Sequence, residues 1–170
     1  SKALFGSCDY ICRNLLPRFG VETVMVNGTD LDEWEAALRH PTAAVFMETP
    51  SNPQLDIIDL TEVSKIAHKA GARVIVDNVL ATPVLQKPLE LGADVVVYSA
   101  TKHIDGQGRA MGGCILTNDL DWSNSSNSGN KSMFVAICAI YDYEIFENKD
   151  SKILLDHWFD WMDQNQNPET

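Results

Sequence analysis

No stretch of this 170-residue chain approaches the roughly 20 consecutive apolar residues of a membrane-spanning helix, and no signal peptide opens it. Positive charge is scarce. Lys and Arg total 13 against 24 Asp and Glu, for a net charge of -11, so no basic patch exists to neutralise the phosphates of a nucleic acid or an anionic membrane. Neither is expected as a partner. The four cysteines (Cys8, Cys12, Cys114 and Cys138) include no C-x-x-C pair. Cys8 and Cys12 share a helical spacing, but two ligands without a nearby His or Cys make a poor zinc site. Buried reduced thiols are the better reading, which fits a cytoplasmic location. No G-x-G-x-x-G follows any apolar β-forming run, which disfavours a nicotinamide-dependent α/β enzyme. Internal repeats are absent, and the first residue is Ser1 rather than methionine, as expected if the chain begins inside a larger protein.

What remains is ordinary globular composition, 45% hydrophobic and 22% charged, with enough length for one domain with a core. Residues 1–117 alternate between helical and strand patterns. A helix is expected over Cys8–Arg18, with Tyr10, Ile11, Leu15 and Leu16 apolar and a stop near Pro17 and Gly20. Thr23–Val26 reads as a short strand. Asp30 caps a helix carrying Leu31, Trp34, Ala37 and Leu38, and Asp59 opens another with Leu60, Val63, Ile66 and Ala67 on one face, ending at Gly71. Strands are expected over Ala43–Met47, Arg73–Val76, Val95–Tyr98 and Gly112–Leu116, with a connection from Pro83 to Pro88. Near-continuous apolar strands separated by helices predict an α/β fold, a mostly parallel sheet with helices on both faces.

Ligands of such sheets sit beyond the carboxyl ends of the strands. Glu48, Asn52, Asp77, Ser99, Thr101 and Lys102 all fall there. The run Val95-Val96-Val97-Tyr98 ends in Ser99-Ala100-Thr101-Lys102, which delivers two hydroxyls and an amine at one strand end. Hydroxyls bind phosphate oxygens, and a lysine amine condenses with an aldehyde. Val74-Ile75-Val76-Asp77 ends in an acid able to pair with a pyridinium nitrogen. Together these strand ends point to pyridoxal phosphate (PLP) as cofactor. Gly106 and Gly108 read as turn residues rather than a phosphate loop. His103 is expected to pack under the sheet, not to act in catalysis.

Residues 1–117 resemble the Cys/Met-metabolism PLP enzymes of fold type I, the family of cystathionine γ-synthase, the cystathionine lyases, methionine γ-lyase and the O-acylhomoserine sulfhydrylases. The resemblance is carried by Asp94–Gly108, by Glu48-Thr49-Pro50-Ser51-Asn52-Pro53, by Val76-Asp77-Asn78 and by Leu85–Asp94. Within the family, Leu4-Phe5-Gly6-Ser7-Cys8 and Tyr98–Gly108 look most like the O-succinylhomoserine sulfhydrylases. The resemblance implies that Lys102 is the Schiff-base lysine and proton shuttle, and that Asp77 pairs with the pyridine nitrogen. Ser99 and Thr101 would bind the phosphate, and Phe5 would stack on the ring where many relatives place a tyrosine. Glu48 and Asn52 would line the pocket, Asn52 near the phenolic oxygen. It further implies γ-replacement on an acylated homoserine, with an amino-acid substrate and sulfide as small-molecule partners, and a dimeric or tetrameric assembly.

The departures shape a second expectation. The family's N-terminal arm, its phosphate-cradling helix start and its C-terminal domain are not in this chain. Residues 118–170, with 10 acids against 3 bases, do not resemble the family and form a separate acidic, α-rich tail. There Asp119–Lys131 reads as a loop, Met133–Tyr141 as a strand or short helix, and Ile153–Met162 as an amphipathic helix. Weak PLP binding and little turnover are therefore expected. The competing reading is a catalytically silent remnant serving as a folded or binding module, and within the family a cystathionine γ-synthase or a cystathionine or methionine lyase.

Overall fold

The computed structural model describes residues 1–118. The loop, strand-or-helix and helix expected within 119–170 lie outside the described residues.

Four strands form one sheet in the order β1 (Ala44–Glu48), β2 (Arg73–Asp77), β3 (Val95–Ser99), β4 (Gly113–Thr117). The first three run parallel and β4 pairs antiparallel with β3. This is the mostly parallel sheet that the apolar runs predict, each strand shifted by no more than a residue or two. Val45, Met47, Val74, Val76, Val96 and Tyr98 alternate onto one face and form a single core with Trp34, Leu38, Val63 and Ala67. Burying each such aliphatic side chain contributes about 1.5–3 kcal/mol. Ile75, Val95 and Val97, on the opposite face, are buried as well. Two covered faces explain why these strands read as continuous apolar runs rather than alternating ones.

The helices follow their caps. In α2 (Leu31–Ala37) the Asp30 carboxylate accepts the N–H groups of Asp32 and Glu33. In α3 (Leu60–Lys69) Asp59 accepts from Glu62 N–H at 3.1 Å, and Gly71, at φ +77°, closes the end. Gly71 N–H bonds His68 O and Ala72 N–H bonds Ala67 O, the pattern of a left-handed helix terminus.

Two expectations change. The helix over Cys8–Arg18 is helical but not uniform. An α-helical turn α1 (Gly6–Tyr10) widens to π geometry over Ile11–Leu15 and tightens to a 3₁₀ turn over Leu16–Phe19. Pro17 has no N–H to offer the Arg13 carbonyl and its ring crowds it, so the ladder changes pitch on either side. The strand over Thr23–Val26 does not form. Val26 O accepts one bond, from Lys2 N–H (2.7 Å), and Val24 is 62% exposed. β-Branched residues make a strand only beside a partner, and one bond is not a ladder. The Pro83-to-Pro88 connection contains a short turn, α4 (Thr82–Leu85), and a 3₁₀ turn follows over Pro88–Leu91. No helix among the described residues is long and apolar enough to cross a membrane.

Candidate functional site

Glu48, Asp77 and Ser99 are the last residues of β1, β2 and β3, on the rim where parallel sheets present ligands. Register fixes their relation. Glu48 is directly opposite Asp77, and Asp77 is opposite Val97. Alternation turns all three away from the core residues Met47, Val76 and Tyr98. Two carboxylates from different strands therefore stand side by side, 4% and 7% exposed.

Their electrostatics follow from that position. Burial pushes the Asp77 carboxyl from 3.8 up to about 6, while the Val79 N–H, 3.0 Å from Oδ1, pulls it back. Burial, then the neighbouring Asp77 charge, pushes Glu48 from 4.5 up to about 7, against the backbone N–H groups of Asn52 and Phe5. Phe5 N–H donates to Glu48 Oε2 at 2.8 Å. The causes of the two shifts are burial, the neighbouring carboxylate and backbone donors. Such a pair favours a proton or a positively charged ligand.

Beneath the rim lies a buried polar network that local sequence patterns do not announce. Asn78, 0% exposed, donates from Nδ2 to Thr82 O (3.2 Å), Gln86 O (3.0 Å) and the Tyr98 hydroxyl (2.8 Å). Gln86 Nε2 donates to Asn78 Oδ1 (2.8 Å) and to Thr49 O (2.9 Å). The ends of β1, β2 and β3 are thereby tied to the 82–86 turn. Thr49 and Ser51, both fully buried, hold the loop after β1 by accepting from Ile58 N–H and Asp56 N–H.

Ser99, Thr101 and Lys102 lie at the end of β3 and in the loop that leaves it. Lys102 N–H donates to Ser99 O (3.1 Å), and Thr101 Oγ1 accepts Gly112 N–H (3.1 Å) at the base of β4. Asp105 closes the loop by accepting from Gln107 and Arg109 N–H, and these backbone donors hold its carboxyl below the usual range. Gly106 and Gly108 take φ of +72° and +67°, the turn role expected of them. Lys102 is exposed and Ser99 and Thr101 half-buried. His103 departs from expectation. It is exposed, not packed beneath the sheet, because the chain has already left β3 and no layer covers it there. It borders a small pocket of about 110 Å³ with Val79, Tyr98, Ser99 and Ile104. Cys8 is buried and Cys12 and Cys114 are half-buried, all three in the thiol form. Among the described residues no group of three or more His, Cys, Asp or Glu is placed to hold a metal.

Comparison with known proteins agrees with this arrangement. A family described as Cys/Met metabolism PLP-dependent enzyme matches residues 1–140, beyond residue 117 where the resemblance read from sequence stops. An O-succinylhomoserine sulfhydrylase of Mycobacterium tuberculosis is 60% identical over 116 residues, covering 68% of this chain and 29% of the relative. An L-methionine gamma-lyase of Fusobacterium nucleatum is 47% identical over 118 residues, 69% of this chain and 30% of its own. Among solved structures, a cystathionine gamma lyase from Micromonospora echinospora gives a TM-score of 0.69 at 43% identity, over 72% of this chain and 32% of that one. A cystathionine gamma-lyase from Lactobacillus plantarum gives 0.70 at 34% identity, over 72% and 32%. The chain thus spans about 30% of the length of the curated relatives it matches. Its sheet is that of the fold-type-I PLP enzymes, and the chain belongs to the Cys/Met-metabolism PLP-dependent enzyme family.

Proposed function

We propose that this chain is the cofactor-binding part of a PLP-dependent sulfhydrylase of sulfur amino-acid metabolism, acting in the cytoplasm on O-succinylhomoserine with sulfide as second substrate. One observation carries the cofactor reading: two buried carboxylates side by side at the strand ends, their proton affinities raised by burial. The donor set suits PLP, since Asp77 offers a negative charge to a pyridinium, Ser99 and Thr101 offer hydroxyls to a phosphate, and Lys102 offers an amine to an aldehyde. The choice of substrate is supported by 60% identity to an O-succinylhomoserine sulfhydrylase, against 47% for a methionine gamma-lyase and 43% for a cystathionine gamma-lyase.

When bound, the cofactor supplies an electron-withdrawing ring that stabilises negative charge at an amino acid's α-carbon. The residues do the rest. Lys102 would be the residue whose amine holds the cofactor's aldehyde, and that amine, when free, would be placed to take and deliver a proton at the substrate's α-carbon. Asp77 would hold positive charge at the ring nitrogen, and a cation paired with it there would offset the burial that now raises its proton affinity. Ser99 and Thr101 donate to phosphate oxygens. Phe5 gives a stacking surface without the phenol of a tyrosine. Asn52 would stand near the phenolic oxygen and Glu48 would line the pocket.

The test supplies the chain and PLP with O-succinylhomoserine and sulfide, or with L-methionine or cystathionine alone. Homocysteine from the first mixture only, formed slowly, is the expected result. Faster 2-oxo acid release from methionine or cystathionine would move the chain to the lyases. Bound PLP without turnover of any substrate would favour the folded-module reading.

A further inference from the structure

We infer that Glu48 is a positioning residue of this pocket: its carboxylate fastens the backbone of Phe5 to the end of β1, with the Asn52 N–H facing the same carboxylate, and thereby sets where the Phe5 ring stands. The inference rests on the cofactor reading above and goes beyond it, because it gives Glu48 work on the protein rather than contact with the ligand.

Glu48 itself is fixed, as the last ladder residue of β1, opposite Asp77. The backbone N–H groups that face it belong to no strand ladder. Phe5 precedes α1 with extended backbone (φ -57°, ψ 143°) and no side-chain cap, and it lies 43 positions from Glu48 in sequence. Asn52 sits in the turn between Pro50 and Pro53, where no ladder runs. Phe5 offers a backbone N–H that finds its acceptor in Glu48 Oε2 at 2.8 Å, and the Asn52 N–H is near enough to the same carboxylate to lower its proton affinity. A carboxylate is the strongest acceptor a side chain can offer to a backbone N–H. Glutamine at this position keeps the length but presents one neutral oxygen, and its amide nitrogen cannot accept the second N–H.

The position beside Asp77 couples clamp to pocket. The Asp77 charge is one of the causes that raise the Glu48 proton affinity. Positive charge held at Asp77 opposes that cause and favours the ionised, accepting form of Glu48. Ligand binding and loop fastening then reinforce each other.

The test compares the full chain with Glu48→Gln in two measurements. Without cofactor, hydrogen exchange at the Phe5 and Asn52 amides is expected to accelerate about tenfold, while Val45–Met47 amides keep their protection. In a PLP titration followed by visible absorption, the dissociation constant is expected to rise about tenfold. Unchanged exchange at both amides overturns the clamp, whatever happens to affinity, and a loss of affinity in that case makes Glu48 a direct ligand. Faster exchange with unchanged affinity overturns the positioning role. A parent chain that binds no PLP overturns the cofactor reading instead, and the two amides then decide the clamp alone. Should Glu48→Gln fail to fold, Glu48→Asp, which draws the acceptor back by one methylene, is read in the same way.

Discussion

Replacing Asp77 with asparagine should stabilise the apoprotein at neutral pH, although changes to buried residues usually destabilise. In the folded state the Asp77 carboxyl titrates near 6 instead of 3.8, because burial disfavours its charge. Between those values the folded chain holds a proton that the unfolded chain has released. Stability is therefore fully present below about pH 4, falls as pH rises toward 6, and stays at its lower level above that. Each tenfold change in proton affinity is worth about 1.4 kcal/mol, so the charged form costs the folded state roughly 3 kcal/mol above pH 7. Glu48 titrates in the same direction, from 4.5 to about 7, and the Asp77 charge is its second cause. The asparagine substitution removes the first cost and part of the second. Its amide oxygen can still accept the Val79 N–H. Urea unfolding of parent and Asp77→Asn at intervals from pH 4 to pH 8 measures this directly. The variant should match the parent near pH 4, exceed it by about 3 kcal/mol at pH 8, and show a flatter slope between. A variant that is equal or weaker at pH 8, or that keeps the parental slope, refutes the reasoning. The stability given up at Asp77 is what a site pre-set for a cationic ring is expected to cost.

Three further outcomes follow from the packing. Ser64 is 3% exposed and its hydroxyl has no hydrogen-bond partner among the described residues, so Ser64→Ala should gain about 1 kcal/mol in chemical denaturation. Gly92, at φ +104°, packs against the same serine. A methyl group there falls 2.8 Å from Ser64 Cβ, so Gly92→Ala should lose about 2 kcal/mol or more, read as a lower melting temperature. Asn78→Ala leaves Gln86, Tyr98 and two carbonyls without their shared partner. It should cost about 2–4 kcal/mol by urea unfolding, with faster amide exchange in the 82–86 turn.

The sheet was legible because parallel strands buried on both faces leave an unbroken apolar signature, as in Val74–Val76 and Val95–Tyr98. Asp30 and Asp59 were legible because capping chemistry is local. Thr23–Val26 misleads for the complementary reason: strand formation depends on a partner elsewhere in the chain. The positions of the acids at strand ends could be read, but their side-by-side placement is a matter of register between residues 29 apart, which no local pattern encodes. The Asn78–Gln86–Tyr98 network was invisible in the same way, since a buried asparagine and a surface one look alike in sequence. The Glu48 bond to Phe5 spans 43 positions and surfaced only in the folded chain.

The central claim is that this rim holds PLP through Lys102 and Asp77. Its most direct test is the visible absorption spectrum of the purified chain with PLP, before and after dialysis, beside Lys102→Ala. The account predicts a shifted band in the parent, reduced by dialysis because binding is weak, and absent from the variant. Identical spectra for the two proteins would contradict it.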